Sequence, residues 1–469
     1  MLASTDDGLT VLEDTRTRVS FVFDAPLDGD VVDELRRLML LADSPSQIIR
    51  DRQILARAVN LLDHGVANVP FYRRAATTYD PARIASLEDF ARLPPLRKRD
   101  LRANMPGGLV DDSVDVAASV ARGELGFVMT SGTGEERTST LLDLDQPLLP
   151  FDVSALWEVP PEAVPSRLAV LTTPLCTGNL CHASGASYED RLDGPDCLYL
   201  TSTSDLFGIG DRQVRAIASE WERFEPDLLM VNPHYLHWVG RRMEALGLPR
   251  PRVGRVLSSY QYLSRIQRRA IEAIFGTEVR DFYAATDAGR MAVECVNGRM
   301  HMRDDLSLLD AVPAPADARL PAGVGPVAVT TLGNAVAPLV RYLVGDLART
   351  GLDRCSCAFA EWPCIELHGR WRDCLVTADG VRTTRQVDDA IAEVPGIDFY
   401  QAVQDGSGAV DLRVIPEPGG AFDPARASRV LDALGVETVT VRTVRRLEAE
   451  PSRKLALVKT CLPIPGYSL

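Results

Sequence analysis

Apolar positions early in the chain recur at helical intervals. Val32, Leu35, Leu38 and Leu41 form one series and Ile48, Ile49, Leu55, Ala58, Leu61 and Leu62 another, so the pattern predicts two helices broken near Ser44-Pro45. Farther on the texture changes to short, continuous apolar runs over residues 168–171, 228–231, 253–257 and 327–330, which predict buried strands. Amphipathic stretches at 212–224 and 266–275 lie between them. Strands alternating with helices imply an α/β fold with mainly parallel sheets. From about residue 372 the elements shorten, with turn signals at Asp379-Gly380, Asp405-Gly406 and Pro416-Glu417-Pro418-Gly419-Gly420. We therefore expect a large domain over 1–370 and a small α+β domain over 371–469, with the boundary near 370–373. Residues 311–325, rich in Ala, Pro and Gly, predict a surface loop.

Composition narrows the class. With 469 residues, 46% hydrophobic and 25% charged, the chain has the balance of a globular protein with a large core. A net charge of −14 disfavours nucleic acid as a partner, since that affinity rests on basic surface neutralising phosphates. No apolar run approaches the roughly 20 residues that span a bilayer, and the first fourteen residues lack a basic stretch followed by an apolar one. The expectation is a cytoplasmic protein without a membrane partner. Nine cysteines at irregular spacing do not make a disulfide framework.

Three groups of residues carry chemistry. Phe127-Val128-Met129 leads into Thr130-Ser131-Gly132-Thr133-Gly134, a strand ending in a small-residue loop whose amides and hydroxyls can wrap phosphate oxygens. Arg137 follows as a source of positive charge, and the Gly-Lys-Ser/Thr ending of a Walker loop is missing. Asp346 follows a strand-like segment and Gly345, which places a carboxylate where it can accept hydrogen bonds from ribose hydroxyls. Cys355-Ser356-Cys357, with Cys295 and His301 upstream, offers soft ligands suited to a four-coordinate structural Zn²⁺; Cys364 is an alternative ligand and buried free thiols the alternative state.

Read in order, the Thr130–Gly134 loop, Asp281-Phe282-Tyr283-Ala284-Ala285-Thr286-Asp287, Arg341-Tyr342-Leu343-Val344-Gly345-Asp346-Leu347, His368-Gly369-Arg370-Trp371-Arg372-Asp373 and Pro451-Ser452-Arg453-Lys454 resemble the motif series of the adenylate-forming (AMP-binding) superfamily. Asn68-Val69-Pro70-Phe71-Tyr72-Arg73, Ser86-Leu87-Glu88-Asp89-Phe90, Leu93-Pro94-Pro95-Leu96-Arg97-Lys98 and the Cys355/Cys357 pair are similar to its phenylacetate-CoA ligase branch, some members of which carry a comparable metal knuckle.

The resemblance implies roles. Tyr283 packs on adenine, Thr286 contacts phosphate and Asp287 holds Mg²⁺; Arg370 contacts ribose and phosphate, and Arg372 or Asp373 is the hinge of a mobile small domain. Lys454 is the catalytic cation of that domain, with Lys459 as fallback. His234, Tyr235, Ser258 and Ala284 fall where the acyl pocket is built, and Cys176, Cys181 and His182 in its wall. The implied activity is ATP-dependent activation of an aromatic or small carboxylic acid as acyl-AMP, followed by transfer to a thiol. CoA is the expected acceptor; phosphopantetheine on a carrier protein, or an amine, would use the same adenylate. Arg442, Arg445, Arg446 and Arg453 form a basic stretch that suits CoA phosphates or a carrier's acidic face, or else simply a solvated face. A non-catalytic ligand-binding relative is the competing reading, and a homodimer is left open.

Overall fold

The computed structural model describes residues 2–4, 9–14, 18–23, 45–130, 138–143, 156–158, 166–174, 186–304 and 306–467. The helix expected over 32–41 lies outside them. The chain divides into two compact units, Met1–Ala56 and Arg57–Leu469. In the first, strands β1 (Leu2–Ser4), β2 (Leu9–Asp14) and β3 (Arg18–Phe23) form an antiparallel sheet. Helix α1 (Pro45–Asn68) begins at the proline expected to break the pattern, because a first-turn proline forfeits no intrahelical hydrogen bond.

In the second unit, after several short helices, β4 (Leu125–Met129) and β5 (Ser139–Asp143) pair as an antiparallel hairpin. Its main sheet has a parallel block in the order β7 (Cys197–Tyr199), β6 (Leu168–Leu171), β8 (Leu228–Val231), β9 (Arg255–Ser258) and β10 (Val279–Ala285). The four residues of β8 are all buried, as expected of a strand covered on both faces. Helices α2 (Asp211–Phe224), α3 (Pro233–Ala245) and α4 (Arg265–Phe275) contribute Val214, Ile217, Trp221, Leu236, Val239 and Ile271 to a core with Ala169, Val231 and Val256. Ser264 and Gln267 make a reciprocal capping box at the start of α4, and Gly276, at φ +67°, ends it in the left-handed conformation.

Beyond β10 the sheet continues antiparallel through β11 (Gly289–Glu294), β12 (Met300–Met302), β16 (Cys364–Arg370), β15 (Tyr342–Arg349), β14 (Val324–Thr331) and β13 (Ser307–Ala311). Residues 312–323 connect β13 to β14, so the loop predicted over 311–325 is shortened by one residue at its start and two at its end, with one short turn of helix at Ala316–Ala318.

The C-terminal part is a separate, smaller α+β layer. The hairpin β17 (Leu375–Thr377) and β18 (Gly380–Arg382) precedes helix α5 (Thr384–Ile391). A four-stranded sheet follows in the order β21 (Val439–Thr443), β20 (Val410–Pro416), β19 (Ile397–Gln404) and β22 (Val458–Thr460), with helix α6 (Pro424–Asp432). Turns fall at the predicted Asp379-Gly380 and Asp405-Gly406. Among the described residues no helix is long and apolar enough to cross a membrane.

Candidate active site

A cavity of about 670 Å³ opens between the main sheet and the C-terminal layer, and Thr130, Tyr283, Asp287, Asp346, Arg370 and Lys454 all line it. These six come from five separated segments, so the fold gathers what the sequence spreads over more than 300 residues.

Asp287 sits in the turn between β10 and β11 and is 4% exposed. Its Oδ2 accepts from Thr138 Oγ1 at 2.9 Å and from the Tyr342 hydroxyl at 2.5 Å. Among the described residues both bonds fall on that oxygen, which leaves Oδ1 for a hard cation. Thr138 also ties in the phosphate-loop motif: its backbone N donates to Thr130 Oγ1 at 3.0 Å, and Thr130 N donates to Thr138 O at 2.9 Å. Thr130 and Thr138 are thereby joined to each other and, through Thr138 Oγ1, to the carboxylate. Ser131, Gly132, Thr133, Gly134 and Arg137 themselves lie outside the described residues, as do Cys176, Cys181 and His182.

Tyr283 donates through its hydroxyl to Asp346 Oδ2 at 2.8 Å. Asp346 and Arg370 are register partners across β15 and β16, with Arg370 Nε 3.9 Å from Asp346 Oδ1. Gly345, at φ +96°, adopts a conformation that strains any residue with a Cβ, and it delivers the carboxylate beside the tyrosine. Thr286 and Ala284 also line the cavity.

Lys454 reaches the same cavity from the C-terminal layer, its Nζ donating to Tyr260 O at 3.3 Å. The tight turn that presents it is closed by Arg453 N on Glu450 O and Glu450 N on Lys454 O. Arg453 holds φ +64°, and Tyr260, whose carbonyl meets the lysine, holds φ +71°. Two non-glycine residues in the left-handed region therefore flank one contact, a cost of about 1–2 kcal/mol each that the surrounding structure must over-determine. Lys459 is on β22 and donates to Glu448 O at 3.2 Å; it does not line the cavity, so the fallback assignment is dropped. Asp373 lines the cavity, its carboxyl pushed up to about 6 chiefly by burial. Arg372 pairs with Glu450 at 2.7 Å.

Two pocket expectations need correction. His234 lines the cavity, but Tyr235 does not: its hydroxyl donates to Thr203 O at 2.8 Å and its ring is in the core. Consecutive residues on α3 point about 100° apart. Likewise Ser259 lines the cavity, while Ser258, fully buried at the end of β9, sits beside the cavity residue Asp281 as its register partner.

His234 is neutral. Burial, reinforced by nearby His237, lowers its pKa to about 3. The Gln267 side chain uses its oxygen to accept from Ser264 N, so its amide donates to His234 Nδ1 and the ring proton resides on Nε2. A folded-state pKa below the unfolded value near 6.5 means that the unfolded chain takes up a proton first as pH falls. Stability should therefore decline by up to about 1.4 kcal/mol per pH unit between pH 6.5 and 3. His234→Gln is expected to flatten that acid limb, read as the change in urea midpoint between pH 7 and pH 4.5 rather than as absolute stability.

The sequence reading missed Asp281. It shares the cavity with Tyr283, two residues on along β10, and the two-residue period of a strand was the available signal. Burial first, then the charge of Glu294, pushes its carboxyl up to about 7 against the opposing effect of Arg268. Arg268 in turn holds Glu294 with bonds of 2.9 and 2.7 Å.

A second cluster lies on the antiparallel part of the sheet. The ligand atoms of Cys295, His301, Cys355 and Cys357 all lie within 4.8 Å of one another. Cys295 Sγ is 3.7 Å from Cys355 Sγ, and Cys357 Sγ is 3.3 Å from His301 Nε2. Zn–S bonds of about 2.3 Å in a tetrahedron put sulfurs roughly 3.8 Å apart, so the set fits zinc. His301 Nδ1 donates to Trp362 O at 3.0 Å, which fixes the tautomer and leaves Nε2 as the ligand atom. Cys364 is 3.9 Å from Nδ1, on the other side of the ring, and is not one of the four. Two arginines of the basic stretch are paired: Arg442 chelates Asp411, and Arg446 reaches Asp205 at 3.2 Å.

No family model matches the chain. Phenylacetate-coenzyme A ligase of Thermus thermophilus is 26% identical over 369 residues, covering 76% of this chain and 78% of that one. The enzyme of the same name from Aromatoleum evansii is 27% identical over 308 residues, 61% and 63% of the two chains. Among solved structures, 2-hydroxyisobutyryl-CoA ligase in its postadenylation state superposes with a TM-score of 0.65 at 21% identity, covering 88% and 90%. The same ligase in its thioesterification state gives 0.52 at 19% identity. The fold is that of the adenylate-forming superfamily. In sequence, the chain is similar to phenylacetate-coenzyme A ligases.

Proposed function

We propose that this protein is an ATP-dependent, AMP-forming ligase that activates an aromatic or small carboxylic acid as acyl-AMP and passes the acyl group to the thiol of CoA. The observation that carries the reading is the convergence of Lys454 with Thr130, Tyr283, Asp287, Asp346 and Arg370 on one cavity. Tyr283 and Asp346, already joined, form the nucleoside wall, with Asp346 accepting from ribose hydroxyls and Arg370 beside it. Thr130 and Thr286 meet phosphate oxygens. Asp287 is the ligand for Mg²⁺, which would offset phosphate charge. As the carboxylate attacks, negative charge grows on the α-phosphate, and the Lys454 ammonium is a preorganised counter-charge in a water-poor site. Neutral His234 adds no repulsion or attraction of its own to the incoming carboxylate and contributes through shape and its Nε2 proton.

In this reading residues 371–469 are the mobile domain, turning about Arg372-Asp373 so that one cleft serves both half-reactions. Cys295, His301, Cys355 and Cys357 hold a structural Zn²⁺. The test is acid-dependent ATP–pyrophosphate exchange with Mg²⁺ across aryl, arylacetic, fatty and amino acids, then thioester formation on adding CoA. Exchange with one acid followed by CoA-dependent turnover supports the reading. A folded, ATP-binding protein silent across the panel would overturn it.

A further inference from the structure

One buried carboxylate, beside the apolar contacts of Phe399, Leu447 and Leu455, joins the C-terminal layer to the helices of the main sheet. Asp398, on β19 and 4% exposed, accepts at Oδ1 from His237 Nε2 and from Arg241 Nε, both at 2.8 Å. His237 and Arg241 are one turn apart on the same face of α3. Arg241 also bonds Glu417 at 2.8 Å, and the Phe399 ring stacks on His237 with centroids 4.1 Å apart and planes at 12°. Phe207 and Trp238 pack edge-on against the same phenylalanine, at 5.8 and 6.0 Å. A second carboxylate repeats the arrangement on α4: Asp388 of α5 accepts from Arg265 N at 2.8 Å and from the Tyr400 hydroxyl at 2.9 Å. Between these two anchors Gln261 donates to Leu455 O at 3.1 Å, next to the Lys454–Tyr260 contact.

We propose that Asp398, with His237 and Arg241, is a positioning latch that holds the small domain in the one orientation that delivers Lys454 to the cavity. The proposal rests on the ligase reading above for its catalytic consequence but not for its structural one. A buried ion pair suits a joint that must open. Its geometry is strict, so it specifies register, while its net free energy is close to break-even because the charges regain water when the domains part. An apolar patch of the same area would hold the domain without selecting the orientation. Helix α3 carries His234 in the cavity and His237 in the latch, so the two sites share one rigid element. Burial alone would oppose ionisation of Asp398, yet His237 and Arg241 outweigh it and hold the carboxyl below the ordinary range.

The experiment compares wild type with Asp398→Ala by amide hydrogen exchange and by half-reaction assays. Peptides covering 258–269 and 448–457, the docked faces, are expected to exchange roughly tenfold faster, while the strands 168–171 and 228–231 keep wild-type protection. With an acid active in the wild type, ATP–pyrophosphate exchange should fall roughly tenfold, and transfer from the preformed acyl-adenylate of that acid to CoA should stay at the wild-type rate or rise. Unchanged exchange at the docked faces, or a uniform rise that includes the sheet, would overturn the latch. If the alanine variant does not fold, Arg241→Gln, which keeps the His237 bond, should produce a smaller shift in the same peptides, and its absence would count equally against the idea. Should no acid support exchange in the wild type, the ligase reading fails, while the hydrogen-exchange comparison still decides the latch.

Discussion

Lys454→Ala is expected to lower acid-dependent ATP–pyrophosphate exchange by about 10²–10³-fold, the cost of removing one preorganised donor from a developing oxyanion, with ATP affinity close to wild type. The two quantities separate because the groups assigned to hold the nucleotide, Thr130, Tyr283 and Asp346, belong to the main-sheet portion, whereas Lys454 comes from the C-terminal layer, where its Nζ donates to Tyr260 O at 3.3 Å. That bond is a modest term, about 1 kcal/mol, so its loss should not dismantle the turn at 450–454. Lys454→Arg should not restore the rate, since a planar guanidinium on a different stem cannot place a compact charge at the same point. Exchange kinetics and titration calorimetry with ATP check this directly. Equal losses in both would reassign Lys454 from transition-state stabilisation to ground-state binding.

The sequence disclosed the parts of this molecule that depend on neighbours in the chain. Buried runs such as residues 228–231 gave the parallel strands, and the amphipathic stretches gave α2 and α4 nearly to the residue. The order of motifs disclosed the identity of the site, because each motif is a local turn chemistry. What required coordinates was phase and long-range pairing. His234 and Tyr235 differ by about 100° of a helix; composition does not choose between them. Thr138 and Tyr342 meet at Asp287 across 149 and 55 residues of chain, a pairing no local rule could propose. Asp281 was readable from strand period, but only once Tyr283 had been placed on the cavity face. The positive φ of Arg453 and Tyr260 was likewise not legible, since neither residue is a glycine. A larger residue occupies a conformation that glycine would hold without strain.

Cys357→Ser is expected to abolish a bound zinc that elemental analysis should find at about one per chain in the wild type, and to lower Tm by several degrees. The cluster joins the end of β11 and strand β12 to a segment some 60 residues farther on, where Cys355 and Cys357 precede β16. Its loss would therefore free a long loop next to the strand that ends in Arg370. Zinc affinity is folding free energy when the site forms only on folding. For domains of 150–250 residues each kcal/mol lost corresponds to about 2–4 °C. Cys364→Ser is the matched control. That residue is also buried and near the same imidazole, but on the Nδ1 side, which the Trp362 carbonyl already occupies, so metal content should survive and Tm should fall less. Chelation of the wild type should reproduce the Cys357→Ser melting curve. A wild-type protein that carries no zinc after growth in zinc-supplemented medium, and melts identically with and without chelator, would instead make the four residues a packed thiol–imidazole cluster.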